Sequence, residues 1–316
     1  MDIREFSYFL AIVDYGSITK AAEALYISQP SLSIFLKKLE ERIKFPLFSR
    51  VGTKLVLTNE GRAYADYARR IVAISKEMEQ YFLDLENLET GSVKIGLTSN
   101  RGSFGLSHLQ LLRDKLPNIK IELVEDTSTH IEEQLNNHSI DFALLNRPFR
   151  SVELGYIPLF EEEVILGIPV CFDVSDKLHK IPESNYPWID IAELGDCPFV
   201  LSETGQRLRQ VSDFLFLTKN IIPTVYMQTR SIYNVVTSIS RQVAAGLLLD
   251  SYISTYNLPT SSATFCSVGI DTPTRLQYVI AYPQDGYLST SAQKCIDILS
   301  DVLSSSTYNR FTTEEK

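Results

Sequence analysis

The sequence has little cysteine and histidine, no excess of basic residues and no long apolar run, and each shortage removes a class of protein. Cys171, Cys197, Cys266 and Cys295 stand far apart with no C-x-x-C among them, which argues against a disulfide framework or a zinc knuckle and for a reducing compartment. The four histidines, His108, His130, His138 and His179, show no i,i+4 spacing and no neighbouring cysteine, so they are read as surface or helix-face residues, with no metal and no cofactor expected. Thirty Lys plus Arg against thirty-nine Asp plus Glu give a net charge of -9, which excludes histone-like binding of nucleic acid by bulk charge. Val164 to Val170, the longest strongly apolar stretch, is far short of the roughly 20 residues a bilayer crossing needs. Met1 to Phe6 alternates charges where a signal peptide would lead a basic stretch into an apolar one. A cytoplasmic protein without a membrane partner is expected, and the sequon Asn137-His138-Ser139 is then a chance match.

Enzyme motifs are also missing. Gly91-x-x-x-x-Gly96 has P-loop glycine spacing but continues Leu97-Thr98, without the lysine that would reach phosphates. Ser17-x-x-Lys20 and Ser291-x-x-Lys294 match two letters of a penicillin-binding signature whose partner motifs are absent. The chain is read as not an enzyme.

What is present suffices for about two domains with cores of their own: 316 residues, 44% of them apolar. Residues 1–90 carry 12 basic and 13 acidic residues, residues 91–316 carry 18 and 26. Within the first part, Ser28 to Leu57 holds Lys37, Lys38, Arg42, Lys44, Arg50 and Lys54 against Glu40 and Glu41, a single basic island. Ile3, Phe6, Leu10 and Val13 recur at helical steps up to Gly16, and the alanine-rich Thr19 to Leu25 follows a Ser17 cap. Ser28 can cap a third helix, with Pro30 in its first turn and Leu32, Leu36, Leu39 and Ile43 inward.

Two short helices on a tight turn, the second presenting Gln29, Ser31, Ser33, Lys37 and Lys38, predict a helix-turn-helix. Gln29 can bond adenine bidentately and Ser33 can donate or accept at several base edges. Phe45 to Thr58 suits a small hairpin or wing whose Arg50 and Lys54 would touch phosphates.

These residues resemble the DNA-binding domain of LysR-type transcriptional regulators over Met1 to Gly61. The likeness lies in Phe9-Leu10-Ala11, Ala21-Ala22 with Leu25, Ser28-Gln29-Pro30-Ser31-Leu32-Ser33, Leu39-Glu40, Leu47-Phe48 with Arg50, and Leu57-Thr58 with Gly61. The DNA-contacting set carried over is Ser28, Gln29, Pro30, Ser31, Ser33, Ile34, Lys37, Lys38, Arg50 and Lys54. Ile34-Phe35 departs from the polar or basic continuation usual in the family. Ile34 is read first as enlarging the core, the other reading being contact with a thymine methyl.

From Thr58 the pattern predicts one long helix. Tyr64, Tyr67, Ile71, Ile74, Met78, Tyr81, Leu85 and Leu88 alternate steps of three and four, a heptad seam read as a dimer contact. The resemblance agrees, since linker helices of the family pair two subunits. Two heads on one dimer would address half-sites in successive major grooves.

After Thr90-Gly91-Ser92 strands and helices alternate: strands at 93–97, 119–124, 140–145, 163–169, 199–201, 225–228 and 277–282, with helices at 104–116, 129–137, 207–217, 232–245 (stopped by Gly246) and 290–303. That alternation implies a parallel sheet covered on both faces. Gly91 to Gly96, Ile140-Asp141-Phe142-Ala143, Ala244-Ala245-Gly246 and Tyr287-Leu288-Ser289 look like the LysR effector domain, which is similar to periplasmic binding proteins. The expected architecture is α/β overall. It comprises a winged helix-turn-helix over 1–58, a linker and dimerisation helix over 59–89 and a two-lobed effector-binding domain over 90–316. Lobe I would take about 91–163 and 269–304, lobe II about 164–268.

Ligands of open α/β sheets sit beyond the carboxyl ends of strands. The pattern therefore nominates Thr98, Ser99 and Asn100, Asp126, Thr127 and Ser128, Asn146 and Arg147, Ser202, Glu203 and Thr204, and Thr229, Arg230 and Ser231. Ser99 and Thr127 lead by resemblance. Hydroxyl, amide and guanidinium groups suit a small anion, although Ser and Thr also cap helices. Leu248 stands where the family often has a second glycine, so it is read as a bulkier cleft wall, and Asp250 would favour a cationic or zwitterionic effector if it faced inward. The resemblance implies an effector-responsive regulator of promoter DNA, acting as a homodimer or homotetramer with RNA polymerase. It would activate a metabolic operon and repress its own gene. The competing reading is a small-molecule binding protein without a regulatory DNA-binding role.

Overall fold

The computed structural model describes residues 2–51, 54–85, 91–98, 110–147, 154–269, 273–284 and 287–304. The amino-terminal unit opens with α1 (Ile3–Tyr15), α2 (Ile18–Ala24) and α3 (Gln29–Ile43). Each start is fixed by a side-chain cap on otherwise orphaned amides: Asp2, Ser17 and Ser28 accept from Arg4, Lys20 and Ser31 N–H. Gly16 ends α1 at φ +58°, a left-handed turn that glycine enters without Cβ strain. Phe6, Phe9, Ile12, Ala21, Ala22, Leu32, Leu36 and Leu39 form the core, closed by Leu47 and by Ala65 and Ala68 of the next helix.

β1 (Phe48–Val51) and β2 (Lys54–Leu57) pair antiparallel as the wing. The Glu40 carboxylate accepts from Leu47 and Phe48 N–H at 2.7 and 3.2 Å, tying the wing to α3. Thr58 Oγ1 donates to the Pro46 carbonyl at 2.8 Å and accepts from Gly61 N–H at 2.9 Å. From there α4 (Asn59–Leu85) runs 27 residues, about 40 Å at 1.5 Å per residue.

The second unit contains β3 (Gly91–Thr98), β4 (Ile119–Asp126), α5 (Ser128–Asn136), β5 (Phe142–Asn146), β6 (Leu154–Pro169) and β7 (Phe199–Ser202). It continues with α6 (Arg207–Thr218), β8 (Val225–Thr229), α7 (Ile232–Ser240), β9 (Gly246–Leu249), α8 (Ser251–Thr255), β10 (Ala263–Ser267), β11 (Arg275–Pro283) and α9 (Thr290–Ser304). β6 serves both lobes. Its first part, up to Glu163, pairs with β11, and from Val164 onward it pairs with β10 and β9. In lobe I the neighbours run β6-β11-β5-β3-β4, with α9 residues Ala292, Cys295, Ile296 and Leu299 packed on one side and Ile131 and Leu135 of α5 on the other. Lobe II has its own core around Val164–Ile168, Phe199–Leu201, Val235, Ile239 and Leu247–Leu249.

Three details differ from the sequence reading. The sheet is mixed: β3 is parallel to β4 and β5, and β7 to β8, but β11 runs antiparallel to β5 and β6. β6 begins at Leu154, nine residues before the strand expected from 163, because its first half is largely accessible, with only Leu154 and Leu159 buried before Glu162, and so lacks the apolar run that marks the second half. The helix expected over 232–245 ends at Ser240. Gln242 turns at φ +63°, the carbonyl of Ala245 accepts from Val200 N–H at 2.8 Å, and Gly246 begins a strand where a helix stop was expected. Most of the helix expected over 104–116 lies outside the described residues.

Candidate functional site

α3 is held by its apolar side, so the opposite side is available to a partner. Gln29, Pro30, Ser31, Ile34, Lys37 and Lys38 are exposed, Ser33 is half-buried and Leu32, Leu36 and Leu39 are buried. Ser28 Oγ caps the helix from Ser31 N–H at 3.3 Å and meets Ser31 Oγ at 2.7 Å, so this serine also fixes the helix start. Ile34 corrects the core reading: it is 56% exposed and shares the outer face with Ser31 and Lys38, while its neighbour Phe35 packs edge-on against Tyr8 at 5.5 Å. Arg50 is exposed on β1, whereas the side chain of Lys54 lies outside the described residues. Tyr26, in the turn between α2 and α3, is 95% exposed at φ +54°, a feature that hydrophobic periodicity could not single out.

Along α4 the seam divides. Tyr67, Ile71, Ile74, Met78 and Tyr81 are exposed, as is Phe82. Tyr64 leaves the seam: its ring packs on Phe9 at 4.7 Å and Phe6 at 6.1 Å, inside the head domain. The side chain of Leu85 and all of Leu88 lie outside the described residues. α4 also touches lobe I: Tyr81, though still 46% exposed, meets Tyr287 at 5.4 Å, and His138 Nδ1 approaches the Glu77 carboxylate at 3.3 Å. Between them lies a hollow of about 970 Å³ lined by charges of both signs, including Arg69, Lys76, Glu77, Lys94 and Asp141.

The cleft between the lobes is nearly closed. A pocket of about 20 Å³, room for about one water, lies between Thr98, Asp126, Thr127, Ser128 and Asn146 of lobe I and Gln206, Arg207, Leu208, Leu249 and Tyr252 of lobe II. Its polar lining is buried, with Thr98, Thr127, Ser128, Asn146, Gln206 and Arg207 each less than 9% exposed. Bonds cross it: Thr129 N–H and Oγ1 both donate to the Gly205 carbonyl at 3.2 Å, and Arg207 Nη2 donates to the Glu132 carboxylate. Burial pushes the Glu132 carboxyl above its ordinary range, against the pull of Arg207. Thr127 Oγ1 accepts from His130 N–H at 3.4 Å, so it caps α5 while lining the pocket.

Of the sequence nominees, Thr98, Asp126, Thr127, Ser128 and Asn146 are brought together here; Ser99 and Asn100 lie outside the described residues. The others point elsewhere. Arg147 is exposed, stacked over Tyr156 at 5.0 Å and donating to Gln277 Oε1 at 3.2 Å. Arg230 is exposed and paired with Glu203. Ser202 is buried with its carbonyl accepting from Arg209, and Thr204 and Ser231 are exposed. Leu248 does not wall the pocket: it pairs with Ile165 and is 0% exposed in the lobe II core, while Leu249 reaches the pocket. Asp250 accepts from Ser251 N–H at 2.8 Å as the cap of α8. Gln206 and Arg207 were missed as pocket residues. They carry no local signal because their lobe I pocket partners are 60 or more residues away in sequence.

Three of the four cysteines are buried and Cys171 is exposed. Burial pushes the thiols of Cys266 and Cys295 up to about 12 and about 11, which leaves them protonated and inert near neutrality. Among the described residues no cluster of metal-ligating side chains occurs and no helix is long and apolar enough to cross a membrane.

An exposed recognition helix with a wing, a long stalk and a hinged two-lobed domain define a ligand-responsive regulator of the winged helix-turn-helix class. The model of "Bacterial regulatory helix-turn-helix protein, lysR family" matches residues 3–62 and that of "LysR substrate binding domain" matches residues 86–304. The chain belongs to the LysR family of DNA-binding transcriptional regulators. It is 28% identical over 296 residues to the RuBisCO operon transcriptional regulator of Allochromatium vinosum, covering 92% of this chain and 93% of that one. Full-length OxyR from Pseudomonas aeruginosa superposes with a TM-score of 0.66 at 19% identity, covering 100% and 99% of the two chains. The regulatory domain of CcmR from Synechocystis PCC6803, solved with 2-PG, gives 0.58 at 18% identity over 68% of this chain and 99% of that one.

Proposed function

We propose that the chain works as a cytoplasmic homodimer, or a pair of dimers, that binds a partly palindromic promoter site and answers a small-molecule effector in the inter-lobe pocket. Three parts divide the work: 1–58 reads DNA, 59–89 pairs subunits and 90–316 senses effector. The observation that carries this reading is the pairing of two exposed features: the outer face of α3, and the apolar stripe Tyr67, Ile71, Ile74, Met78 and Phe82 on α4. Gln29 and Ser33 read bases; Lys37, Lys38, Arg50 and Lys54 position the head on phosphates. Ile34, on the same face, meets a thymine methyl. The effector sits in the small pocket and not in the larger hollow beside α4, because only the small one has a buried polar lining beyond the strand ends. Effector shifts lobe packing by binding one closure better than another, which changes the spacing of the heads and the contact with RNA polymerase. Activation of a neighbouring metabolic operon with repression of its own gene is the family's habit and is carried over to this chain as part of the proposal. 2-PG, with which the CcmR regulatory domain was solved, is the first candidate effector to titrate. No catalytic step is assigned to either lobe.

Retardation of a duplex carrying the gene's own upstream region tests the reading. Binding should weaken steeply with salt, with a slope that counts the phosphate contacts. Gln29→Ala should weaken it by about 1–3 kcal/mol, roughly 10- to 100-fold, and relax preference at one base position. Retardation that ignores salt and survives Gln29→Ala unchanged would overturn it.

A further inference from the structure

The turn that joins α2 to the recognition helix holds a backbone outlier. α2 closes on two bonds: Tyr26 N–H donates to the Glu23 carbonyl at 3.1 Å and Ile27 N–H to the Ala22 carbonyl at 3.0 Å. In that arrangement the residue just past the helix cap turns left-handed, and glycine or asparagine usually fills it because neither suffers the full Cβ clash. Tyr26 stands there at φ +54°. Of the seven described non-glycine residues at positive φ, Asn220 and Asn257 are of the tolerant type, and only Tyr26 sets a large aromatic ring in solvent, 95% exposed. Ile27 beside it packs on the head core, but the Tyr26 side chain meets no partner among the described residues. Nothing inside the chain offsets the strain of holding tyrosine where glycine would fit, which points to a contact outside the chain.

The surroundings indicate which contact. Ser28, two residues on, caps α3, so the ring leaves the head at the end of α3 that leads into a major groove. From Ala21 to Leu36 there is no lysine or arginine, and Lys37 and Lys38 arrive only two turns into α3. Phosphates beside the leading end must therefore be met by neutral donors. The hydroxyls of Ser28 and Ser31 are already bonded to each other at 2.7 Å. A phenol O–H suits a phosphodiester oxygen, which accepts it in a charge-assisted bond, while the face of the ring can lie on the neighbouring sugar.

We propose that Tyr26 is a positioning residue for DNA, its hydroxyl donating to one backbone phosphate at the rim of each half-site and so anchoring the leading end of α3 where no cation does. The inference rests on the reading of α3 as the DNA-binding helix and adds to it an uncharged anchor. Such a contact carries no sequence information. Being neutral, it also releases no counterion, so it strengthens binding without steepening the salt dependence.

The test measures binding of the full-length protein to the upstream duplex and to an unrelated duplex of the same length, each over a range of salt. Tyr26→Phe keeps the ring and the backbone and loses only the hydroxyl. It should weaken binding to both duplexes by about tenfold or more, leaving their ratio and the salt slope unchanged. Tyr26→Gly should weaken binding at least as much, while its head melts no lower than wild type and up to about 8 °C higher. Replacing single phosphates of the upstream duplex with methylphosphonate should find one whose neutralisation costs wild type about tenfold and costs Tyr26→Phe nothing further. The proposal is overturned if Tyr26→Phe binds both duplexes within about twofold of wild type, if its loss is confined to the upstream duplex, or if no phosphate shows that non-additivity. A Tyr26→Gly head that melts several degrees lower overturns it as well, because the ring would then be part of the head's own packing. Wild type that fails to retard the upstream duplex defeats the DNA-binding reading itself, whereas retardation by wild type with Tyr26→Phe unaltered defeats only this inference.

Discussion

Replacing Ile74 and Met78 of the stalk with glutamate is expected to give a chain that folds, sediments as a single copy at micromolar concentration and loses promoter affinity by about 10²- to 10⁴-fold. Both side chains are more than half exposed, so their removal takes nothing from a core within the chain. In a pair of stalks each would be buried against its counterpart. Burying one Ile or Met side chain contributes about 1.5–3 kcal/mol, and two glutamates facing two more replace that gain with repulsion. Each head alone keeps its contacts, but the second half-site no longer binds as a tethered event. Sedimentation velocity and duplex retardation check the two halves of this expectation. A dimer that persists at micromolar concentration would move the subunit contact away from α4.

Gly61→Ala should unfold the head domain at a markedly lower temperature, with a loss of about 3 kcal/mol, near the upper end of overpacking effects. The reason is local. A Cβ at Gly61 would stand 1.9 Å from the Leu47 carbonyl oxygen and 3.0 Å from Leu57 Cδ2. Backbone oxygen cannot rotate away, so either the start of α4 or the wing must move. Either shift also disturbs Thr58, whose hydroxyl joins Pro46 to Gly61 N–H. For a head of about 60 residues, 3 kcal/mol corresponds to roughly 12–24 °C in melting temperature. Calorimetry should show this fall in the head transition and little change in the effector domain. A variant melting within a few degrees of wild type would mean that the helix start relaxes freely.

Much of the head was legible because its signals are local. A cap, a turn glycine and a row of leucines each act within one or two turns, which is why α1, α2 and α3 begin where Asp2, Ser17 and Ser28 place them. Ile34 was legible too, had its spacing been weighed. It stands two positions from Leu32 and two from Leu36, a step that on a helix lands on the far side from both. Tyr64 fits the heptad as well as Tyr67 does, and only the proximity of Phe6 and Phe9 decides that it belongs to the head. Strand direction is a non-local property, so β11 could not be recognised as antiparallel from its own residues. The Arg207 to Glu132 pair spans 75 positions and is made by α5 and α6 docking across the cleft, which no window along the chain contains.

The single strand that runs through both halves of the effector domain has a mechanical corollary. Between Glu163 and Val164 one backbone leaves its ladder with β11 and joins another with β9 and β10. At this junction Glu162 and Glu163 are buried and accept from the hydroxyls of Ser251 and Ser184. Two bodies sharing a pinned spine cannot slide past each other or drift apart. They can only swing and twist about it, so whatever enters the pocket is read out as an angle.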